Sequence, residues 1–390
     1  MISIGRRSAR SARLPILFYD HARYFLLGRP QSLFVIPSES LALSEAGRVE
    51  ESLNINRNPA LAEDFARHDK AMKNVLFIVG PTATGKSELA ADVAYDLDAE
   101  IVGADAFQIY RGLDLLTGKP DSATLVKAPH HLIGTIPIQE EMNAEKFRRI
   151  AWRAIGEIHA REKPALIVGG SGLYIKALTH GLLSAAVPDR AIRAQLNKMS
   201  LDQLREQIIK LDPETARKID IKNRRRLVRA VEIYLLTCKP ASVQRIQWEH
   251  KVVAAAVPSG RSSAAETAAA TTHGVFVFRD RDELYERINC RIKAMFENGV
   301  IEEVRATDAM SETASQMIGL REIRELLEGK ISILQCVAAI QQATRHYAKR
   351  QLTWFRRQTN FEPLNLSLLT HQEAVKWISR KALSFAPKDD

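Results

Sequence analysis

The sequence predicts an α/β fold in which helices flank a parallel sheet and a smaller, all-helical insertion interrupts the core. Between Val75 and Leu178, apolar runs of strand length alternate with segments that have helical periodicity. Such alternation is typical of βαβ units, whose parallel strands are covered on both faces. From Asp189 to about Leu236 the apolar residues recur every three or four positions, which predicts helices only.

A glycine-rich loop follows the first predicted strand. The strand is NVLFIV (Asn74–Val79), the loop is GPTATGKS (Gly80–Ser87), and the helix pattern that follows covers Glu88–Leu97. The loop matches GxxxxGK[ST], in which backbone N–H groups and the start of the next helix bind phosphates. Lys86 is the candidate contact for the outer phosphate, and the Ser87 hydroxyl the candidate ligand for Mg²⁺. The sequence therefore predicts a P-loop NTPase-like sheet, with ATP as the default ligand of a nucleotide-binding loop.

The positions of the strand-end acids argue against an ordinary ATPase. Most P-loop NTPases place an acidic residue at the end of a second strand to organise Mg²⁺. Here the apolar run Pro164–Val168 ends in Gly-Gly-Ser-Gly, and the nearest strand-end acid is Asp105, which closes EIVGAD. Because ligands bind at the carboxyl edge of parallel sheets, Asp105 and the P-loop should share one cleft.

Five sequence blocks occur in a fixed order. They are GPTATGKS, DAFQIYRGLDLLTGKP, APHHLIG, VGGSGLYIKAL and TRHYAKRQLTWFR. In order and spacing they resemble the tRNA dimethylallyltransferases, over about residues 73–357. The resemblance implies transfer of a prenyl group from dimethylallyl diphosphate to the exocyclic N6 amine of the tRNA adenosine just 3′ of the anticodon, with Mg²⁺. It also implies that the P-loop holds the leaving diphosphate and that no phosphoryl group is transferred.

The resemblance assigns roles residue by residue. It implies that the catalytic residues are Asp105, Thr82 and Lys86. The implied diphosphate-binding residues are Gly80, Pro81, Thr82, Ala83, Thr84, Gly85, Lys86 and Ser87, with Ser87 also the metal ligand. The implied tRNA-binding residues are Asp105, Ala106, Phe107, Gln108, Ser171, Arg193, Arg225, Arg226, Leu227, Val228, Arg229, Gln316, Met317, Ile318, Gly319, Leu320, Arg321, Lys349, Arg350, Gln351, Leu352, Thr353, Trp354, Phe355 and Arg356.

The chemistry of adenine prenylation explains why such residues are needed. An adenine amine is a poor nucleophile, so a base must take its proton as the C–N bond forms, and Asp105 is the candidate. The alternative role for an Asp at a strand end is a turn former or helix cap. The base must also leave its stack, and the Gln108 amide can make a two-pronged hydrogen bond to an adenine edge.

Several of these segments have a second interpretation. Arg225, Arg226 and Arg229 lie opposite the apolar side of a predicted helix, which on pattern alone indicates a solvated basic face. Trp354 and Phe355 can stack on splayed bases or lie in the core. For the adjacent histidines of APHHLIG, packing is favoured over a metal site because no third ligand has suitable spacing nearby.

Departures from the family pattern are few. Ala106 stands where Ser is usual, Gly118 where Ala is usual, Gly134 where Asp is common, and Asn223 where Asp is common. None of them removes a charged group that is assigned to catalysis. Loss of the hydroxyl at position 106 could loosen Asp105.

Composition agrees with a polyanionic partner such as tRNA. The 390 residues carry 56 Lys plus Arg against 46 Asp plus Glu, a net charge of +10. Cys238, Cys290 and Cys336 are scattered, which fits a reducing compartment and not a disulfide framework. No apolar run reaches the roughly 18 residues of a membrane helix. We expect a cytoplasmic monomer.

The chain is divided by changes in composition. In order, the expected parts are an N-terminal extension (1–70), the first part of the P-loop core (71–188), a tRNA-contacting helical insertion (189–250), a flexible link (251–273), a return to the core with tRNA-binding helices (274–360) and a C-terminal tail (361–390). The extension is disordered, a transit peptide, or the product of a start codon placed too far upstream. GVFVFRD, at the start of the return, predicts a strand.

Two other classes of function remain open from the sequence. One is a small-molecule P-loop enzyme, either a metabolite kinase or an adenylate prenyltransferase, which would have no use for the Arg-rich helix. The other is a non-catalytic RNA-binding module, against which the intact Lys86, Ser87 and Asp105 argue.

Overall fold

A computed structural model describes residues 74–182, 189–244, 273–307, 309–358 and 360–385. The strands of these ranges are β1 (Val75–Val79), β2 (Glu100–Gly103), β3 (His130–His131), β4 (Ala165–Gly169), β5 (His273–Phe278) and β6 (Glu362–Asn365). They form one all-parallel sheet in the order β3-β2-β4-β1-β5-β6. The predicted fold class is confirmed.

Helices fill the connections between the strands. Those of the first half are α1 (Lys86–Asp96), α2 (Asp114–Thr117), α3 (Ser122–Leu125), α4 (Ala144–His159) and α5 (Gly172–His180). A helical group follows with α6 (Arg190–Lys198), α7 (Leu201–Leu211), α8 (Pro213–Lys218) and α9 (Arg224–Thr237). The remaining helices are α10 (Arg281–Glu297), α11 (Val300–Arg305), α12 (Leu320–Leu327), α13 (Ile333–Phe355) and α14 (His371–Phe385), with 3₁₀ turns at Ala314–Gln316 and Leu366–Leu368.

The central strand β1 is buried on both faces, which explains its continuous apolar sequence. All five of its residues are buried. Phe77 packs in one apolar cluster with residues of α4, α5, α10 and α13, whereas Ile78 packs in a second cluster with residues of α1 and α14. Successive side chains of a strand point to opposite faces, so one run of apolar residues fills two cores.

Helices α6 to α9 have an apolar cluster of their own. It includes Leu196 of α6, Leu204 and Ile208 of α7, and Leu227 and Val231 of α9. Side chains at spacings of three and four lie on one helix face, so the predicted periodicity is the one that fills this small core.

The expected C-terminal tail instead supplies the edge strand β6 and the packed helix α14, so the prediction of a tail is wrong for residues 362–385. Strand β6 pairs in parallel with β5, and Leu364, Val375 and Ile378 lie in the same apolar cluster as α1. The Pro363 that weakens the strand pattern is tolerated because β6 is an edge strand, where one side needs no ladder hydrogen bonds.

Two other predictions fall outside the described residues. These are the N-terminal extension over 1–70 and nearly all of the link over 251–273, of which only the strand residue His273 is described. None of the helices in the described ranges has the length and apolarity needed to cross a membrane.

Candidate active site

The P-loop runs from the end of β1 to the start of α1 and is closely packed against the neighbouring strands. The backbone N–H of Gly80 donates to the carbonyl of Gly169 at 3.2 Å. A Cβ at position 80 would lie 2.2 Å from the carbonyl oxygen of Val277, so only glycine fits there. Gly85 has φ 89°, a left-handed conformation, where the loop enters α1. The two glycines of the motif are therefore required by geometry.

Lys86 lies in the first turn of α1, within a desolvated pocket. Its Nζ donates to the carbonyl of Pro81 at 3.1 Å. Burial lowers the pKa of Lys86 to about 8, while the nearby carboxylate of Asp105 raises it and the guanidinium of Arg291 lowers it further. The structure thus brings Lys86 and Asp105 into one electrostatic environment, as the shared edge of the sheet predicts.

A cavity opens beside the loop, between it and helices α10 and α13. Thr82, Asp105 and Arg291 supply part of its polar lining. Apolar side chains supply much of the rest, namely Leu116, Ile288, Ile292, Met295, Met317, Ile318 and Ile340. The cavity lining thus combines polar side chains, some of which contact the P-loop, with a larger number of apolar ones.

Asp105 has a structural role through one carboxylate oxygen. Its Oδ1 accepts hydrogen bonds from the backbone N–H groups of Phe107 at 2.9 Å and Gln108 at 3.3 Å. The turn-former interpretation therefore holds for Oδ1. Because Oδ2 takes no part in this turn, the same residue can also face the cavity as a proton acceptor.

The segment after Asp105 is held in place by two further contacts. The N–H of Ala106 donates to Oγ of Ser171 at 2.9 Å, which ties the β2 edge to the start of α5. Nε2 of Gln108 donates to the carbonyls of Gly118 at 2.7 Å and Thr117 at 3.3 Å. Gln108 is therefore near the cleft, but its amide nitrogen is bonded to a backbone turn.

Three arginines that the sequence argument did not single out surround the P-loop. Nε of Arg279 donates to the carbonyl of Thr84 and Nε of Arg287 to that of Ala83, both at 2.9 Å. Nη1 of Arg291 donates to Oγ1 of Thr82 at 3.0 Å. The spacing of four between Arg287 and Arg291 put both on one helix face and was the available signal. The sequence does not show that this helix face is the one directed toward the P-loop, because that depends on tertiary packing.

The amide of Gln351, which was predicted to contact tRNA, is bound inside the protein instead. Its Oε1 accepts from the backbone N–H of Thr82, and its Nε2 donates to the carbonyl of Gly170, each at 2.9 Å. The side chain is 6% exposed. Gln351 therefore links α13 to the P-loop and the end of β4, and its amide is not available to tRNA.

Burial corrects several other predicted tRNA contacts. The side chains concerned lie inside apolar clusters and are Leu227, Val228, Met317, Leu320 and Phe355. Packed side chains of this kind hold the helices together, and of the five only Met317 also lines the cavity beside the P-loop. Gly319, with φ 94°, is packed against Leu116 and Ile340.

Trp354 is partly in the core and partly exposed, so it fits neither the core nor the base-stacking interpretation alone. It is half-buried, and its ring meets Phe355 edge-on with centroids 4.8 Å apart. A Cβ at Gly172 would lie 2.6 Å from the indole, so the glycine admits the ring. Leu352, Ile318, Ala106 and Phe107 are likewise partly buried.

The basic residues of the predicted tRNA surface fall into two groups. The first group is exposed and consists of Arg225, Arg226, Arg321, Lys349, Arg350 and Arg356. Of these, Arg321 pairs with Glu322 at 2.7 Å. The polar Gln316 and Thr353 of the predicted set are exposed as well. Arg193 and Arg229 instead bind the buried carboxylate of Glu232, at 2.8 Å and 2.7 Å.

The adjacent histidines are engaged in polar contacts with nearby protein groups. Nδ1 of His130 lies 2.7 Å from the carbonyl of Ala128, and Nε2 of His131 lies 2.6 Å from Oε2 of Glu100. Hydrogen bonds from Arg161, above all, and from His131 hold the pKa of Glu100 at about 2, against the opposing effect of burial. The part of the chain that the structure describes contains no group of three or more His, Cys, Asp or Glu that could hold a metal ion.

Most of this chain is similar in sequence to proteins of one known family. The model of the family "IPP transferase" matches residues 108–358. The tRNA dimethylallyltransferase of Akkermansia muciniphila is 41% identical over 283 residues, 73% of this chain and 90% of the relative. The tRNA dimethylallyltransferase 1 of Citrifermentans bemidjiense is 38% identical over 292 residues, with 74% and 90% covered.

Solved structures share the fold. The full-length tRNA isopentenylpyrophosphate transferase of Bacillus halodurans superposes with a TM-score of 0.54 at 29% identity, covering 80% of this chain and 97% of that one. A eukaryotic dimethylallyltransferase, described as acting on tRNA, gives a TM-score of 0.65 at 23% identity, with 82% and 81% covered. At that identity the likeness concerns the fold alone.

Proposed function

Because the chain belongs to the IPP transferase family, we propose that it transfers the dimethylallyl group of dimethylallyl diphosphate to tRNA. The acceptor in this proposal is the exocyclic N6 amine of the adenosine just 3′ of the anticodon, and diphosphate is released. The observation that carries the proposal is the cavity beside the P-loop, which is lined both by Thr82, Asp105 and Arg291 and by apolar side chains. A prenyl diphosphate likewise combines an anionic end with an apolar tail.

In this proposal the P-loop holds the diphosphate. Backbone N–H groups and the start of α1 favour an anion, and Lys86 and Arg291 add two positive groups. As the C–O bond of the substrate breaks, its electron pair leaves with the diphosphate, whose charge grows. Groups fixed in place before the reaction stabilise that charge without reorganising, which is why they accelerate the chemical step.

We assign the Mg²⁺ site to Ser87, in the first turn of α1. A hydroxyl at this position suits an ion that is shared with the substrate's phosphates, because Mg²⁺ keeps several waters and needs few protein ligands. When bound, the ion would add positive charge to the leaving group.

Asp105 is the proposed general base. As the adenine N6 atom forms its bond to the prenyl carbon, the excess proton on nitrogen passes to Oδ2, the oxygen that the turn leaves out. The hydrogen bonds to Oδ1 fix the orientation of the carboxylate. Gln108 is proposed to read the adenine edge, for which Nε2 must exchange its backbone carbonyl partners for the base.

The tRNA is proposed to lie on the exposed basic surface. Arg225 and Arg226 of α9, together with Lys349, Arg350 and Arg356 at the end of α13, are the contacts for phosphates. The exposed part of Trp354 is a stacking surface for an unstacked base. We further propose that the loop binds diphosphate in place of ATP, and that the protein is a cytoplasmic monomer, in keeping with its free cysteines.

The test is a comparison of Asp105→Asn with Asp98→Asn. Asp98 precedes β2 at the opposite, amino edge of the sheet, so it controls for loss of a carboxylate outside the cleft. With an anticodon stem-loop and dimethylallyl diphosphate, Asp105→Asn should slow the single-turnover rate by about 10² to 10⁴, and Asp98→Asn should leave it unchanged.

Nucleoside mass spectrometry of the product identifies the reaction. We expect a mass gain of one dimethylallyl group on adenosine with the stem-loop, and none with free AMP or with ATP as donor. Efficient prenylation of AMP would move the protein to the adenylate class, and a wild-type rate for Asp105→Asn would exclude the proposed base.

A further inference from the structure

We propose that Gly118 is a positioning residue, which sets where the guanidinium of Arg291 lies and thereby tunes the affinity for the prenyl diphosphate. This inference rests on the proposed function for the identity of the ligand. Gly118 ends α2 with φ 57°. A Cβ built there would lie 1.6 Å from Nη2 of Arg291 and 2.2 Å from its Cζ. The guanidinium therefore occupies the space that any other side chain at position 118 would fill.

The occupied position is one in which Arg291 has two definite partners. Nη1 donates to Oγ1 of Thr82 in the P-loop at 3.0 Å, and Nη2 donates to the carbonyl of Thr117 at 3.1 Å. Thr117 is the residue before Gly118, so the turn itself supplies one of the two anchors. A charged group that is desolvated and held from both sides loses little freedom when an anion arrives.

A methyl group at position 118 would have to displace the guanidinium. The clash is with the end of a flexible side chain, so the protein can relieve it by moving Arg291 and not by unfolding. Such a movement gives up one or both hydrogen bonds and takes the positive charge away from Thr82. The expected result is weaker diphosphate binding in a folded protein.

The same turn also holds the proposed adenine reader. Nε2 of Gln108 shares the carbonyl of Thr117 with Arg291 and binds that of Gly118. The Thr117–Gly118 turn is thus a common anchor for the arginine and for Gln108. Inorganic diphosphate contains no adenine, so its binding reports on Arg291 separately from Gln108.

Gly112 provides a matched control within the same segment. It also has a positive φ, 75°, but a Cβ there would meet nothing within 4 Å. Gly112→Ala and Gly118→Ala therefore impose a similar backbone penalty, and only the second collides with Arg291. Gly118→Asn is a second test variant, because asparagine tolerates positive φ better than alanine and still carries a Cβ.

The experiment measures binding of inorganic diphosphate by calorimetry, alongside the thermal midpoint of each variant. We expect Gly118→Ala and Gly118→Asn to weaken binding by about tenfold relative to Gly112→Ala, the loss expected for one hydrogen bond from a charged group. In an Arg291→Ala background, Gly118→Ala should have no further effect on the diphosphate affinity, because the group that it displaces is gone.

Two outcomes would overturn the inference. One is a Gly118 variant that binds diphosphate as tightly as Gly112→Ala, and the other is an equal loss of affinity from Gly118→Ala with and without Arg291. The wild-type prenylation assay separates this result from the proposed function. If the wild type binds diphosphate but does not prenylate tRNA, the proposed function fails. The calorimetric comparison of the Gly118 and Gly112 variants still decides whether Gly118 controls diphosphate binding.

Discussion

Helices α9 and α10 both carry several arginines, but they use them in opposite ways. On α9, Arg225 and Arg226 are exposed to solvent. On α10, Arg287 and Arg291 face the P-loop and bind Ala83 and Thr82, but Arg287 stays exposed, whereas burial lowers the pKa of the Arg291 guanidinium. A charge in water is screened, whereas a desolvated charge held near a reacting group acts at a much lower dielectric constant. Arg291 of α10 should therefore influence the chemistry, and Arg225 and Arg226 of α9 should influence encounter with tRNA.

The density of basic residues in the sequence does not reveal this difference. The run RRRLVR of α9 is the more conspicuous, and its two middle arginines, Arg225 and Arg226, are exposed. The arginines of α10 are dispersed among apolar and acidic residues in RDRDELYERINCR. Clustering indicates a basic surface, whereas a single buried arginine beside a phosphate loop is recognised only by what surrounds it.

Among variants of the two helices, the largest expected effect is that of Arg291→Ala. Loss of a fixed positive group from the leaving-group site should lower kcat/KM by about 10³, with most of the loss in diphosphate affinity and in the chemical step. The affinity for tRNA should stay within a few-fold. Arg281→Ala is the control, because Arg281 lies at the start of the same helix, is exposed and packs over the ring of Tyr285. A kcat/KM equal to that of Arg281→Ala would contradict the assignment.

The next effect concerns the paired arginines of the insertion. The carboxylate of Glu232 is fully buried and holds Arg193 and Arg229, which are 42% and 32% exposed. Glu232→Gln should reduce the free energy of unfolding by about 3 kcal/mol, the low end for a broken buried pair, since both arginines can reach water. Urea unfolding measures this change. Glu206→Gln on α7, which breaks an exposed pair with Lys210, should cost less than about 1 kcal/mol.

A moderate effect is expected for the pH dependence of diphosphate affinity, in which variants of α9 and α10 should differ. The pKa of Lys86 is lowered to about 8, so the free enzyme loses this proton as the pH rises through that value. Because bound diphosphate favours the ammonium form, affinity should fall by about tenfold per pH unit above pH 8, and binding should take up a proton. Calorimetry in buffers with different ionisation enthalpies measures that uptake.

Variants of the two helices should differ in this pH profile. Arg291 contributes to the lowered pKa of Lys86, so Arg291→Gln should move the fall in affinity to higher pH. Arg225→Gln on α9 should leave the profile unchanged. In Lys86→Arg, whose guanidinium stays charged, the fall near pH 8 should disappear. A fall that persists in Lys86→Arg would assign the titration to another group.

The smallest effect is expected for the exposed arginines of α9. Arg225→Ala and Arg226→Ala should each weaken tRNA binding by a few-fold and flatten its salt dependence by about one unit of slope for each phosphate that is no longer neutralised. Stability and the rate at saturating tRNA should not change. Lys163→Ala, which removes a charge that pairs with Asp98 at the amino edge of the sheet, should leave both affinity and slope unaltered. If it has the same effect, the attraction is general and not localised on α9.

Much of the candidate site could be predicted because it depends on local pattern. The strand before Gly80, the helix from Lys86 and the strand end at Asp105 are each specified within a few residues. The parallel arrangement of β1 and β2 then places both sites at one edge. The turn made by Asp105 was likewise a local alternative, and the structure adds that one carboxylate oxygen is engaged while the other is not.

The C-terminal region was predicted less well because its side chains act over long sequence distances. Gln351 binds Thr82, and Phe355 packs against Phe276 with ring centroids 5.5 Å apart. Nothing in the local pattern of TRHYAKRQLTWFR distinguishes a buried glutamine from one that faces RNA. In the same way, β6 has too few residues and too weak a pattern to be recognised without its partner β5.

The sequence by itself determined the α/β class, the phosphate loop, the acid that shares its cleft and the helical character of the insertion, because hydrophobic periodicity and glycine placement act locally. Tertiary structure alone decided which basic and polar side chains are buried. It turned Arg291 and Gln351 toward Thr82, left Arg225 in solvent, added β6 to the sheet and packed α14 in the same apolar cluster as α1. The reason is that burial depends on which segments meet in space, and a charged residue has the same identity in the sequence whether it meets water or a phosphate loop.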